Sequence, residues 1–143
     1  MWLLLATLAS MFWGVEYSIN EQLYRKISVP TVLAIEGLAY LFIAIGIIIF
    51  TGTFRADIAT LGSSWRLMGL IAVATCAVTA ATFLTGFVIT YQNATLAGLI
   101  EISYPLFIAL FAYLLFKESE LNVGTSLGGL LIFGGVALVY WFR

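Results

Sequence analysis

The sequence predicts an all-α integral membrane protein with five transmembrane helices, doubled by an antiparallel dimer into ten helices related by inversion. Three observations carry this reading. The chain has 143 residues, 63% hydrophobic and only 9% charged, with a mean hydropathy of +1.11, outside the range of soluble domains. Its apolar residues fall into five runs, each near the ~20 residues that cross a ~30 Å hydrocarbon core, where helices satisfy their own backbone groups. Finally, an odd number of spans puts the termini on opposite sides, with Lys and Arg shared evenly between those sides.

The elements belong to one five-helix domain over residues 1–143. The first helix occupies about 2–20. No Lys or Arg precedes it and no clear cleavage signal follows, so it reads as a retained span rather than a signal peptide. A polar stretch, Glu21 to Lys26, separates it from the second helix, about 31–50, which begins after Pro30, a good first-turn residue. Thr51 to Arg66 forms the longest loop, with room for an interfacial turn. The third helix covers about 67–91. Gln92-Asn93 makes a tight hairpin, with Asn93 as N-cap of the fourth helix, about 94–116. Lys117 to Asn122 leads to the fifth, about 123–142.

Helix faces then assign partners. In the third helix Thr75, Thr79, Thr82, Gly86 and Thr90 recur at steps of three and four and share one face, suited to close packing and interhelical hydrogen bonds. In the fifth, Gly124, Gly128 and Gly135 form another such face for helix or dimer packing. Trp2, Trp65, Tyr91, Tyr140 and Trp141 fall near helix ends, as an aromatic belt requires. Trp13, Tyr17, Tyr40 and Tyr104 lie deeper, either lining a site or packing between helices. Trp13, Glu16, Tyr17 and Asn20 share a face of the first helix; Glu36 and Tyr40 share one of the second.

The fourth helix carries Glu101 and Pro105 inside an otherwise apolar run. A carboxyl group at such depth costs about 2.5 kcal/mol or more and marks a functional position by default. Pro105 has no N–H to give the carbonyl four residues back, which is that of Glu101. Carboxyl group and relieved carbonyl thus coincide, as a binding site or as a kink satisfied by neighbouring hydroxyls. At ~1.5 Å per residue, Glu16 lies about 21 Å beyond Trp2. Glu36 and Glu101 lie roughly 7–10 Å into their helices from the far side. All three acids fall in one leaflet without a Lys or Arg at that depth, and cannot all remain ionised there. They take up protons, share them, or hold a cation. For Glu36, snorkelling to the interface is the other reading.

Other classes are excluded by composition. With no His and one Cys, Cys76, a zinc site of the usual ligands is implausible and an intrachain disulfide impossible. Net charge is −1, with no basic cluster to hold nucleic acid. No phosphate-binding loop and no nucleophile–base constellation occurs, so neither a cofactor nor an enzymatic reaction is expected.

The run Leu99-Ile-Glu-Ile-Ser-Tyr-Pro-Leu-Phe107, the closing Phe116-Lys-Glu118, then Gly128 and Gly134-Gly-Val-Ala-Leu138 resemble the EamA-like branch of the drug/metabolite transporter superfamily. Phe12-Trp-Gly14 is similar to its first-helix opening. Members commonly carry two five-helix repeats, and this sequence holds one. Where a basic residue often stands in the family's second helix, Glu36 stands here. The resemblance implies a secondary transporter in the cell membrane that moves a small metabolite or organic cation with or against protons. Glu16, Glu36 and Glu101 would bind substrate and protons, with Trp13, Tyr17, Asn20, Tyr40, Tyr104 and Pro105 around them.

Arg55, Arg66 and Lys117 face one side of the membrane; Arg25, Lys26 and Arg143 face the other. That tie allows insertion both ways, and a single repeat needs an inverted partner for alternating access. The expectation is a dual-topology, antiparallel homodimer. The small multidrug resistance family, a distant relative, uses that arrangement and a first-helix glutamate that Glu16 resembles in position. A heterodimer with a related half-length chain, or a non-transporting membrane subunit, is the other reading.

Overall fold

The structure, a computed structural model, describes residues 1–118 and 122–142. Its helices are α1 (Trp2–Tyr24), α2 (Val29–Thr51), α3 (Phe54–Ser63), α4 (Trp65–Tyr91), α5 (Ala94–Glu101), α6 (Tyr104–Phe116) and α7 (Val123–Trp141). Among the described residues there is no strand. Five segments are long and apolar enough to cross a membrane, α5 and α6 together making the fourth. The chain is a multi-pass helical membrane protein.

Local chemistry sets the boundaries. α1 continues past the apolar run to Tyr24 because Glu21 and Arg25 pair at i,i+4, 2.9 Å apart. Hydropathy marks where hydrocarbon ends; hydrogen bonding carries the helix further. α2 places Pro30 in its first turn, where its missing N–H costs nothing. It stops at Gly52, whose φ of 68° closes the last turn with an N–H to the Ile48 carbonyl. Asn93 caps α5, its side chain accepting from Leu96 N–H at 2.8 Å. Asn122 and Thr125 form a reciprocal capping box at the start of α7.

Two compact units result, Met1–Tyr17 with Gln92–Arg143, and Ser18–Tyr91. The core of the second gathers Val29 and Val32 of α2 with Gly86 and Ile89 of α4. Gly86 is required there: a Cβ on it would lie 2.5 Å from Val29 Cγ1. In the first unit, Ala94, Ala97 and Gly129 are buried. A Cβ on Gly129 would lie 2.4 Å from Leu106 Cδ2. Within each unit a glycine stands where two helices press together, as expected without a hydrophobic force between spans.

Within one chain, the close contact between α6 and α7 falls on a glycine other than the three read in the sequence for helix or dimer packing. On α7 it is Gly129 that meets α6, whereas nothing lies within 4 Å of a Cβ on Gly128 or Gly135, and Gly124 faces the cap oxygen of Asn122. On α4 only Gly86 of the small-residue face is buried, and Thr90 beyond it is exposed. Thr75, Thr79 and Thr82 are exposed. The hydroxyls of Thr82 and Thr90 donate to Val78 and Gly86 of their own helix, at 2.8 and 2.9 Å, rather than across to another.

Candidate functional site

The fourth span is two half-helices. α5 ends at Glu101, α6 begins at Tyr104, and Pro105 stands in its first turn. The sequence offers a binding site or a kink at this proline; the structure interrupts the helix for two residues, Ile102 and Ser103, both still in the right-handed helical region. Ile102 N–H bonds the Gly98 carbonyl and Ser103 N–H the Ile100 carbonyl, both at 3.1 Å. Ser103 Oγ donates to the same Ile100 oxygen at 2.8 Å, and Leu106 N–H reaches back to Ser103 at 3.1 Å. The turn thus pairs the N–H groups of Ile102, Ser103 and Leu106 within the span, as irregular backbone at membrane depth requires.

Glu101, last residue of α5, is half-buried, and its Oε2 accepts the hydroxyl of Tyr17. Two features seat that tyrosine. Trp13, one turn earlier on α1, meets its ring edge-on at 6.0 Å and 80°. The ring also lies against α5 at Gly98, one turn before Glu101, where a Cβ would make an ordinary contact, 3.8 Å from Tyr17 Cδ2. Neither Gly98 nor Ser103 stood out in the sequence. A glycine one turn before a membrane carboxylate, and a hydroxyl two residues after it, were the signals available.

The other expected residues are placed as follows. Glu16 adjoins Tyr17 on α1, half-buried, with its Oε2 shielded from solvent. Tyr104 opens α6 just past the break and is exposed. Asn20 is 2% exposed, closed to any ligand in this conformation. Glu36, half-buried, and Tyr40, exposed, lie on α2 in the other unit. Pro105 also lines a separate groove of about 380 Å³ between α6 and α7, with Leu106, Ala109, Thr125, Gly128 and Gly129. That groove is apolar and contains none of the acids. Among the described residues no group of three or more side chains could hold a metal ion.

The arrangement offers a carboxylate where the span is interrupted, a phenol hydroxyl already donating to it, and the indole of Trp13 against that phenol ring. A carboxylate so placed can exchange a proton, or accept a cation whose charge the rings also attract. Five apolar spans, with an acid where one of them is interrupted, make this a multi-pass membrane protein with an ionisable group inside a span. The sequence profile of the EamA-like transporter family matches residues 1–141, and the chain belongs to that family. No curated protein and no solved structure matches it.

Proposed function

We propose that this chain is a proton-coupled secondary transporter of a small metabolite or organic cation, working by alternating access as an antiparallel homodimer in the cell membrane. The observation that carries the reading is the Tyr17–Glu101 hydrogen bond at the break between α5 and α6. Discontinuous helices build the sites of many secondary transporters, because freed backbone and charged groups converge where they break. Glu101 and Glu16 hold the protons and contact the cargo. Trp13, Tyr17 and Tyr104 supply aromatic surface. Cationic cargo and protons compete for the same carboxylates, so binding releases protons and weakens as pH falls.

Three features favour the inverted second copy: the charge tie across the membrane, the open faces of Gly128 and Gly135, and the exposed hydroxyl stripe of α4. Inversion sets one acid layer in each leaflet, and rocking about the two-fold axis exchanges their access. Purified protein in liposomes, given a panel of small organic cations and metabolites under an imposed pH gradient, tests the proposal. The expected result is proton-linked flux that Glu101→Gln abolishes while the variant still purifies folded. Flux that survives Glu101→Gln with an unchanged pH profile removes Glu101 from the mechanism. No flux of any panel member favours a non-transporting subunit, or a half-transporter that acts only with a different chain.

A further inference from the structure

The connection between α2 and α4 holds a feature that the transport reading does not use. α3 is a ten-residue helix, about 15 Å long at ~1.5 Å per residue. It buries no residue. Phe54, Ile58 and Leu61 follow one another at i, i+4 and i+7 and so share one face. Phe54 is 58% exposed and Ile58 52%; Leu61 is half-buried. Ala56, Thr60 and Ser63 occupy the opposite face, with Arg55 and Asp57 on the flanks.

Its attachment fixes what can meet that apolar face. α2 ends at Thr51 and α4 begins at Trp65. Both are membrane spans, and these ends lie at the same surface of the bilayer. Only Gly52 and Thr53 on one side, and Ser64 on the other, separate α3 from them. The helix is therefore tethered at both ends to the plane where hydrocarbon gives way to headgroups. Trp65, 87% exposed at the first position of α4, stands at that same level, where indole rings gather.

We propose that α3 lies in the plane of the membrane as an interfacial helix. Phe54, Ile58 and Leu61 face the acyl-chain boundary. Arg55 and Arg66 are set at phosphate depth, and the Ala56–Thr60–Ser63 face is turned to water. Its partner is the phospholipid surface, bound through a modest apolar face plus charge. Gly52, with its left-handed φ of 68°, lets the chain turn from a span into this in-plane direction within two residues.

The test places single nitroxide labels along α3 in a Cys76→Ala background reconstituted in phospholipid liposomes. Labels at positions 54, 58 and 61 should show high collision with oxygen and low collision with a water-soluble nickel chelate. Labels at 56, 60 and 63 should show the reverse, so that the ratio oscillates with a helical period. A flat profile with nickel reaching every position would overturn the proposal in favour of a solvated loop. Shielding of 54 and 58 from both probes would also overturn it, because another protein surface would then cover that face. Leu61→Asp serves as a second arm. It should lower oxygen collision at position 58 by lifting the helix, and an unchanged profile at 58 counts against membrane seating.

Discussion

Removing one oxygen atom, in Tyr17→Phe, isolates the contact on which the candidate site turns. Phenylalanine keeps the ring, so the edge-on contact with Trp13 at 6.0 Å and the ring's place beside Gly98 both survive. What is lost is the hydroxyl donated to Glu101 Oε2. A hydrogen bond to a charged group contributes about 1.5–3 kcal/mol, and one between neutral groups about 1 ± 0.5 kcal/mol. Purified protein titrated with denaturing detergent should therefore lose between about 1 and about 3 kcal/mol on Tyr17→Phe. In a Glu101→Ala background the same substitution should cost close to nothing. The coupling from this double-mutant cycle is the worth of the contact. Should Tyr17→Phe cost as much with Glu101 absent as with it present, the hydroxyl holds nothing and the site loses its organising contact.

Further expectations concern packing and orientation. Gly86→Ala drives a Cβ to within 2.5 Å of Val29 Cγ1, a stiff β-branched neighbour, and should destabilise the protein by about 1–3 kcal/mol in the same titration. Gly135→Leu, placed where nothing lies within 4 Å, should leave the folded chain intact but weaken self-association, measured by single-molecule subunit counting in liposomes. Lys117→Gly relieves a left-handed φ of 61°, worth about 1–2 kcal/mol. It forfeits a cation–π contact with Tyr113 at 5.2 Å, worth about 0.5–1 kcal/mol, so stability should rise by no more than about 1.5 kcal/mol. The same change removes a positive charge from one side of a balanced set. A C-terminal reporter, expected on both sides of the membrane for the native sequence, should then favour one side.

Hydropathy made the five spans legible because the bilayer imposes length and polarity on each of them. It was blind where the bilayer exerts no force. α1 runs on to Tyr24 through a polar stretch whose backbone bonds continue without hydrocarbon. α3 has only three apolar residues in register, too few to stand out from a loop. Pro105 announced a disturbance at Glu101, but whether the helix bends or breaks depends on Ser103, which folds back to Ile100. Of the aromatic and acidic residues singled out, the grouping of Trp13 and Tyr17 followed from helical spacing alone. The pairing of Tyr17 with Glu101 spans 84 positions and needed three dimensions. Asn20 shared the right face yet is buried, since periodicity gives direction and not depth.

The turn at Ile102 and Ser103 has a consequence for motion. In hydrocarbon, a hinge ordinarily exposes backbone groups as it opens, and no water replaces the bonds that are lost. Here the bonds run from Ile102 to Gly98 and from Ser103 to Ile100, within the end of α5 itself, and only the one from Leu106 to Ser103 reaches forward. α5 carries its terminus with it as a closed unit. A change of angle between the two half-helices strains one hydrogen bond rather than four. The joint therefore behaves as a low-friction bearing in an apolar solvent, and its stiffness is set by what grips Glu101 rather than by the backbone.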